Sequence, residues 1–185
     1  MKGGSGNVIS TNRIFIYAKA SIFRVALTAL LASQCSGGHT LAAEGEATLR
    51  SEDQGRRSWV VDIEKLTLEN SQYRAAKWTG NSLQMTVMSI PPGEEIGLEK
   101  HEIGDQFIRV EQGRARVVMG PSEDELPFDR QVSDDWAIFI PAGAWHNIIN
   151  VGAEELKVYV IYAPPEHPAG TLHETPEEAE AEHGD

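Results

Sequence analysis

Glu99, His101 and Gln106 fall within eight positions of one another in PPGEEIGLEKHEIGDQFIRVEQG, residues 91–113. His146 follows in DWAIFIPAGAWHNIIN, residues 135–150. In an extended chain successive side chains point to opposite faces, so Glu99 and His101 share a face while Lys100 points away. A carboxylate and an imidazole converging on one interior point are the minimum of a metal site, and His146 offers a second imidazole from another strand. Gln106, one short turn later, offers a neutral amide oxygen. Each of these residues taken singly is more often an ordinary polar side chain, so their joint placement has to carry the reading.

The elements that must position them read as short strands. YRAAKWT and SLQMTVMSI flank a Gly80-Asn81 turn, and QFIRVEQ and RARVVMG flank Gly113, which predicts two hairpins. WAIFIPAG, AWHNIIN and LKVYVIYAP complete the set. Many short β-type runs separated by Gly, Pro, Asn and Asp predict an all-β antiparallel sandwich or barrel. VVDIEKLTLEN ahead of them is read as a short helical or extended segment, and GPSEDELPFDRQ, residues 120–131, as an acidic loop. Within SLQMTVMSI one of two sets, Met85/Val87/Ser89 or Thr86/Met88/Ile90, must line the interior. Along QFIRV, Arg109 falls on the face opposite Gln106, which gives it a surface or interface role.

The two histidine-bearing stretches resemble the two motifs of the cupin superfamily, written G-x5-H-x-H-x3,4-E-x6-G and G-x5-P-x-G-x2-H-x3-N. The first runs Gly93, Glu99, His101, Gln106, Gly113, and the second Asp135, Pro141, Gly143, His146, Asn150. Glu99 stands where a His is usual, Gln106 where a Glu is usual, and Asp135 where a Gly is usual. The resemblance covers residues 59–166 and implies a single cupin barrel (a double-stranded β-helix, or jelly roll) like the small type-2, sugar-isomerase-like cupins. In that frame Pro141 and Gly143 turn the chain so that His146 aims back into the barrel. Glu99, His101, His146 and Gln106 become metal ligands, with Gln106 either a fourth ligand or the hydrogen-bond partner of a metal-bound water. Two imidazoles and a carboxylate suit a divalent Fe, Mn, Zn, Ni or Co ion and leave it a residual charge of about +1, favourable to an anionic oxygen ligand.

Composition limits the remaining classes. The first 43 residues carry Lys2, Arg13, Lys19 and Arg24, no acidic residue, and the apolar run VALTALLASQ before small residues ending in Ala42 and Ala43. That order predicts a cleaved signal peptide and a periplasmic or secreted protein, with a cytoplasmic one the alternative if translation starts downstream. The run is too short to span a bilayer, so no membrane span is expected in the mature form. Cleavage would leave 12 basic against 28 acidic residues, a net charge of −16, and no cysteine. Such a surface repels nucleic acid and anionic membranes. Residues 44–58 read as a flexible linker, and residues 167–185 as an acidic tail in which His167 and His173 are solvated. The Pro-rich segment from Ile161 to Thr175 has the length to cross the barrel mouth or to meet a second copy in a homodimer. Two functions stay open: a metal-dependent isomerase, dioxygenase or lyase acting on a sugar, sugar acid or keto or hydroxy acid, and a non-catalytic binder of such a small molecule.

Overall fold

The structure, a computed structural model, describes residues 52–183; the expected signal peptide and the first part of the expected linker lie outside them. A one-turn helix, α1 (Ile63–Leu68), leads into nine strands. They are β1 (Arg74–Thr79), β2 (Gln84–Ile90), β3 (Asp105–Gln112), β4 (Arg114–Gly120), β5 (Phe128–Ser133), β6 (Ala137–Ile140), β7 (Trp145–Asn150), β8 (Leu156–Ala163) and β9 (Leu172–His173). A last helix, α2, covers Pro176–His183. A six-stranded sheet in the order β6-β3-β8-β2-β1-β9 faces a three-stranded sheet in the order β5-β4-β7. The pairings are antiparallel.

The core between the sheets follows from strand alternation. In β8, Leu156, Val158, Val160 and Tyr162 face inward, and their cross-strand partners Val110, Ile108 and Gln106 on β3 face the same way. On β2 it is Met88 and Ile90 that join this core. Met85 and Val87 point to the outer face, where Leu66 of α1 and Trp59, Val61 and Ile63 cover them in a second apolar cluster. That cover explains why every residue of β2 is buried on both faces. Each fully buried Val or Leu there contributes about 1.5–3 kcal/mol. Asp62 caps α1, accepting a hydrogen bond from the Lys65 N–H at 3.1 Å.

Four expectations need correction. Gly113 is not a hairpin turn, because β3 and β4 lie in different sheets. Its φ of 93° turns the chain from one sheet to the other, and a Cβ there would meet Glu155 O and Leu156 Cα at 3.1 Å. The chain beyond residue 166 is more than an acidic tail: β9 pairs with β1, His167 and His173 are buried, and Ala179 of α2 packs into the barrel core. Residues 52–57, expected as linker, are anchored. Gln54 N–H bonds Lys77 O, and the Asp53 carboxylate accepts from Thr79 and Gly170. Polar backbone partners hold these residues, and they leave no apolar periodicity to read. The loop expected at 120–131 ends early, because β5 begins at Phe128.

Candidate metal centre

His146 is the second residue of β7, just after a turn that is fastened to the first motif. Gly143, at φ 80°, donates its N–H to His101 O at 2.8 Å, and Ala142 N–H donates to Asp105 Oδ1 at 3.0 Å. Glu99 and His146 then exchange both backbone hydrogen bonds, at 3.0 and 2.9 Å, so their side chains leave the same side of an isolated antiparallel bridge. This bridge converts a separation of 47 positions into side-by-side side chains. Asp135 takes the turn conformation, φ 71°, at a position where the motif carries a glycine. Asn150 satisfies backbone groups of Ile90, Gly152 and Glu154, as expected of a turn residue.

Glu99 Oε1 lies 3.3 Å from His101 Nε2 and 3.4 Å from His146 Nε2, and the two imidazole centroids are 5.4 Å apart. Ligand atoms held about 2.0–2.1 Å from one ion are separated by roughly 3.0–3.4 Å, so the spacing suits a shared cation. All three atoms are buried and none has an aligned hydrogen-bond partner. Their other ends are fixed. His146 Nδ1 lies 2.9 Å from Ala144 O, and His101 Nδ1 lies 3.2 Å from Glu166 Oε1. Fixing Nδ1 as the protonated nitrogen leaves Nε2 bare and directed inward, the usual support for a metal-binding His.

The electrostatics agree with this arrangement. Burial alone would push the Glu99 carboxyl up, but the two imidazoles facing it hold it well below the ordinary carboxylate range. Burial works against a charged His101, yet Glu99 and Glu166 outweigh it and raise its pKa. Gln106 is buried at the first inward position of β3, and both of its amide atoms lack partners. The structure places Gln106 opposite Tyr162 and Ile140 in register, in the same interior as the three-residue cluster.

Further interior residues stand beside the cluster. Tyr162 faces inward with a hydroxyl that lacks an aligned partner, its pKa raised by burial, and stands edge-on to His101 and His167. Tyr159 lies on the outer face. Glu166 and His167 bring the Pro-rich segment over the cluster, so the crossing of the barrel mouth is present. Arg74, read only as a strand residue, is buried inside the barrel. A second acidic group, Glu111, Asp134 and Asp135, sits on the outside, where Arg109 pairs with Glu111 and Asp135. Arg109 thus has the surface role its alternation predicts.

The cupin domain family profile matches residues 86–162. The chain is 52% identical over 136 residues to the protein YrkC of Bacillus subtilis (strain 168), covering 74% of this chain and 73% of that protein. It is 38% identical over 115 residues to protein L612 of Acanthamoeba polyphaga mimivirus, covering 62% of this chain and 70% of that protein. The crystal structure of BH2720 from Bacillus halodurans is 55% identical, with a TM-score of 0.70, over 70% of this chain and 98% of that one. None of these three names carries an activity. The profile match runs from β2 into β8 and takes in both histidine motifs with the strands that carry them: the chain belongs to the cupin family.

Proposed function

We propose that this protein is a metal-dependent cupin that takes a small oxygen-rich molecule, a sugar, sugar acid or keto or hydroxy acid, at a divalent transition ion held by Glu99, His101 and His146. The observation that carries the reading is the convergence of three buried, unpartnered ligand atoms on one point. Leaving that many polar atoms unsatisfied costs about 1–3 kcal/mol each, which a bound cation removes. When bound, the ion supplies Lewis-acid polarisation of a ligand oxygen or redox chemistry. Glu99 supplies the one anionic ligand, and Glu166 and Ala144 O orient the two imidazoles from behind. Gln106 and Tyr162 face the same interior next to each other, with polar atoms that lack an aligned partner and are suited to orienting hydroxyl or carbonyl oxygens. The basic, then apolar, then small-residue order of the first 43 residues supports export of the mature chain.

The test is elemental analysis of untagged protein, before and after reconstitution with Fe, Mn, Zn, Ni and Co. About one equivalent is expected in the wild type and less than about 0.1 in Glu99→Ala and His146→Ala. A wild type that stays below about 0.1 equivalent after reconstitution overturns the reading. Product analysis on sugar acids and hydroxy-ketones then separates turnover from capture.

A further inference from the structure

Arg74, the first residue of β1, has a chemistry that conflicts with its position. It pairs in register with Met88, whose β8 partner Val158 lies in the barrel core, so Arg74 projects into the same interior. It is 1% exposed, and its guanidinium Nε and Nη1 have no hydrogen-bond partner. Among the described residues no carboxylate forms an ion pair with it; its recorded contact is with the face of the Tyr73 ring, 5.8 Å from the centroid. A buried charge left like this is costly, because desolvation is offset only by close pairing.

The unpaired guanidinium is not isolated from the metal cluster. Gln106, Tyr162 and Thr86 also hold unpartnered polar atoms, and all three share the inward face with Arg74. Arg74 and Glu99 act electrostatically on the same two hydroxyls, those of Tyr73 and Tyr162, in opposite directions. The inward face that carries Arg74 therefore also carries unsatisfied groups on β2, β3 and β8, among them Tyr162, whose ring meets that of His101. A cavity of about 80 Å³ is lined by Arg74 together with Tyr73, Ile96 and Ala179, room for two or three waters or one carboxylate. Glu94, Glu95 and Glu180 also border it, but they are exposed to solvent, which screens them.

Charge decides what completes that face. A divalent ion, Arg74, Glu99 and even the half-exposed Glu166 together leave one positive charge in excess. We propose that the small molecule bound at this centre carries a carboxylate that Arg74 engages, with Gln106, Tyr162 and Thr86 taking its hydroxyl or carbonyl oxygens. This rests on the metal-dependent reading and narrows it to an organic acid.

The test pairs charged and neutral probes on metal-reconstituted full-length protein. D-galacturonate and glycolate are compared with D-galactose and ethylene glycol, with inorganic phosphate and D-glucose 6-phosphate as a phosphate arm, by thermal shift and calorimetry. The carboxylates are expected to bind and the neutral probes not. Arg74→Gln is expected to weaken the carboxylates roughly tenfold or more while metal content stays at about one equivalent. Arg74→Met is expected to abolish that binding and leave the ligand-free Tm unchanged or raised by about 2–4 °C, because it removes an unpaired buried charge. Binding only in the phosphate arm, equal binding of neutral probes, binding of none, or undiminished binding by Arg74→Gln each overturns the proposal. So does a large loss of Tm in Arg74→Met, which would mark a structural arginine. If the wild type holds no metal, the same probes are run on metal-free protein: Arg74-dependent carboxylate binding there upholds the anion site while the metal reading falls, and its absence overturns both.

Discussion

Arg74 and Lys157, two of the buried cations of the six-stranded sheet, stand on opposite faces and have opposite surroundings. Lys157, on the outer face of β8, is 6% exposed. Its Nζ donates to Asn70 O at 2.6 Å and Ser89 Oγ at 2.9 Å and pairs with Glu155 at 2.6 Å. Arg74, on the inner face of β1, is more deeply buried and has no such partners. Around Lys157 the outer face is closed: the ammonium is hydrogen-bonded, and α1 covers Met85 and Val87 beside it. On the inner face the apolar layer is closed, but Arg74, Thr86, Gln106 and Tyr162 hold polar atoms without an aligned partner. A protein of marginal stability keeps such groups where they gain partners from a ligand.

The largest test of this contrast is metal addition. Chelated wild-type protein given a thousandfold excess of a fitting ion over its Kd is expected to gain about 4 kcal/mol of unfolding free energy, read as a rise in Tm. Glu99→Ala and His146→Ala are expected to show no rise, because each removes one of the three converging atoms. A wild type whose Tm ignores Fe, Mn, Zn, Ni and Co would make the inner cluster a hydrogen-bonded curiosity and end the contrast.

The next effect is smaller and opposite on the two faces. Lys157→Met strands Asn70 O and Ser89 Oγ without their donor and is expected to destabilise by about 2–3 kcal/mol in urea unfolding. Arg74→Met, removing a cation with nothing to strand, is expected to be neutral or stabilising. Equal losses in the two variants would show that both cations are structural.

The difference between the faces also explains what the sequence could disclose. The all-β architecture was legible because strand alternation and turn residues are local signals, and Glu99, His101 and His146 were legible because they sit at fixed spacing around Pro141 and Gly143. Gln106 was found at its inward position for the same reason. Arg74 and Glu166 were not legible. In YRAAKWT both alternating sets mix apolar with basic residues, so which face meets the core depends on α1 covering the other side. Glu166 reaches His101 across 65 positions, through a Pro-rich segment with no period to read. Gly113 misled because a glycine between two strands reads the same whether the strands pair or part into separate sheets.

The smallest effect concerns a third charged group, satisfied like Lys157 but near the surface. Burial alone would raise the Asp53 pKa, yet hydrogen bonds from Thr79 Oγ1 and from the N–H groups of Gly55, Gly170 and Thr79 hold it below the ordinary value. A carboxyl lowered in the folded state adds stability that is present above its unfolded pKa of about 3.9 and is lost as pH falls through the lower folded value. Asp53 is partly exposed, so solvent screening limits the term to less than about 1 kcal/mol. Asp53→Asn is therefore expected to lower Tm slightly at pH 7 and to converge on the wild type below about pH 3. The inner carboxylate obeys the same sign but answers to metal as well. Acid should release an ion from Glu99 while leaving the Asp53 anchor to fail separately, and metal content followed against Tm down the pH scale separates the two.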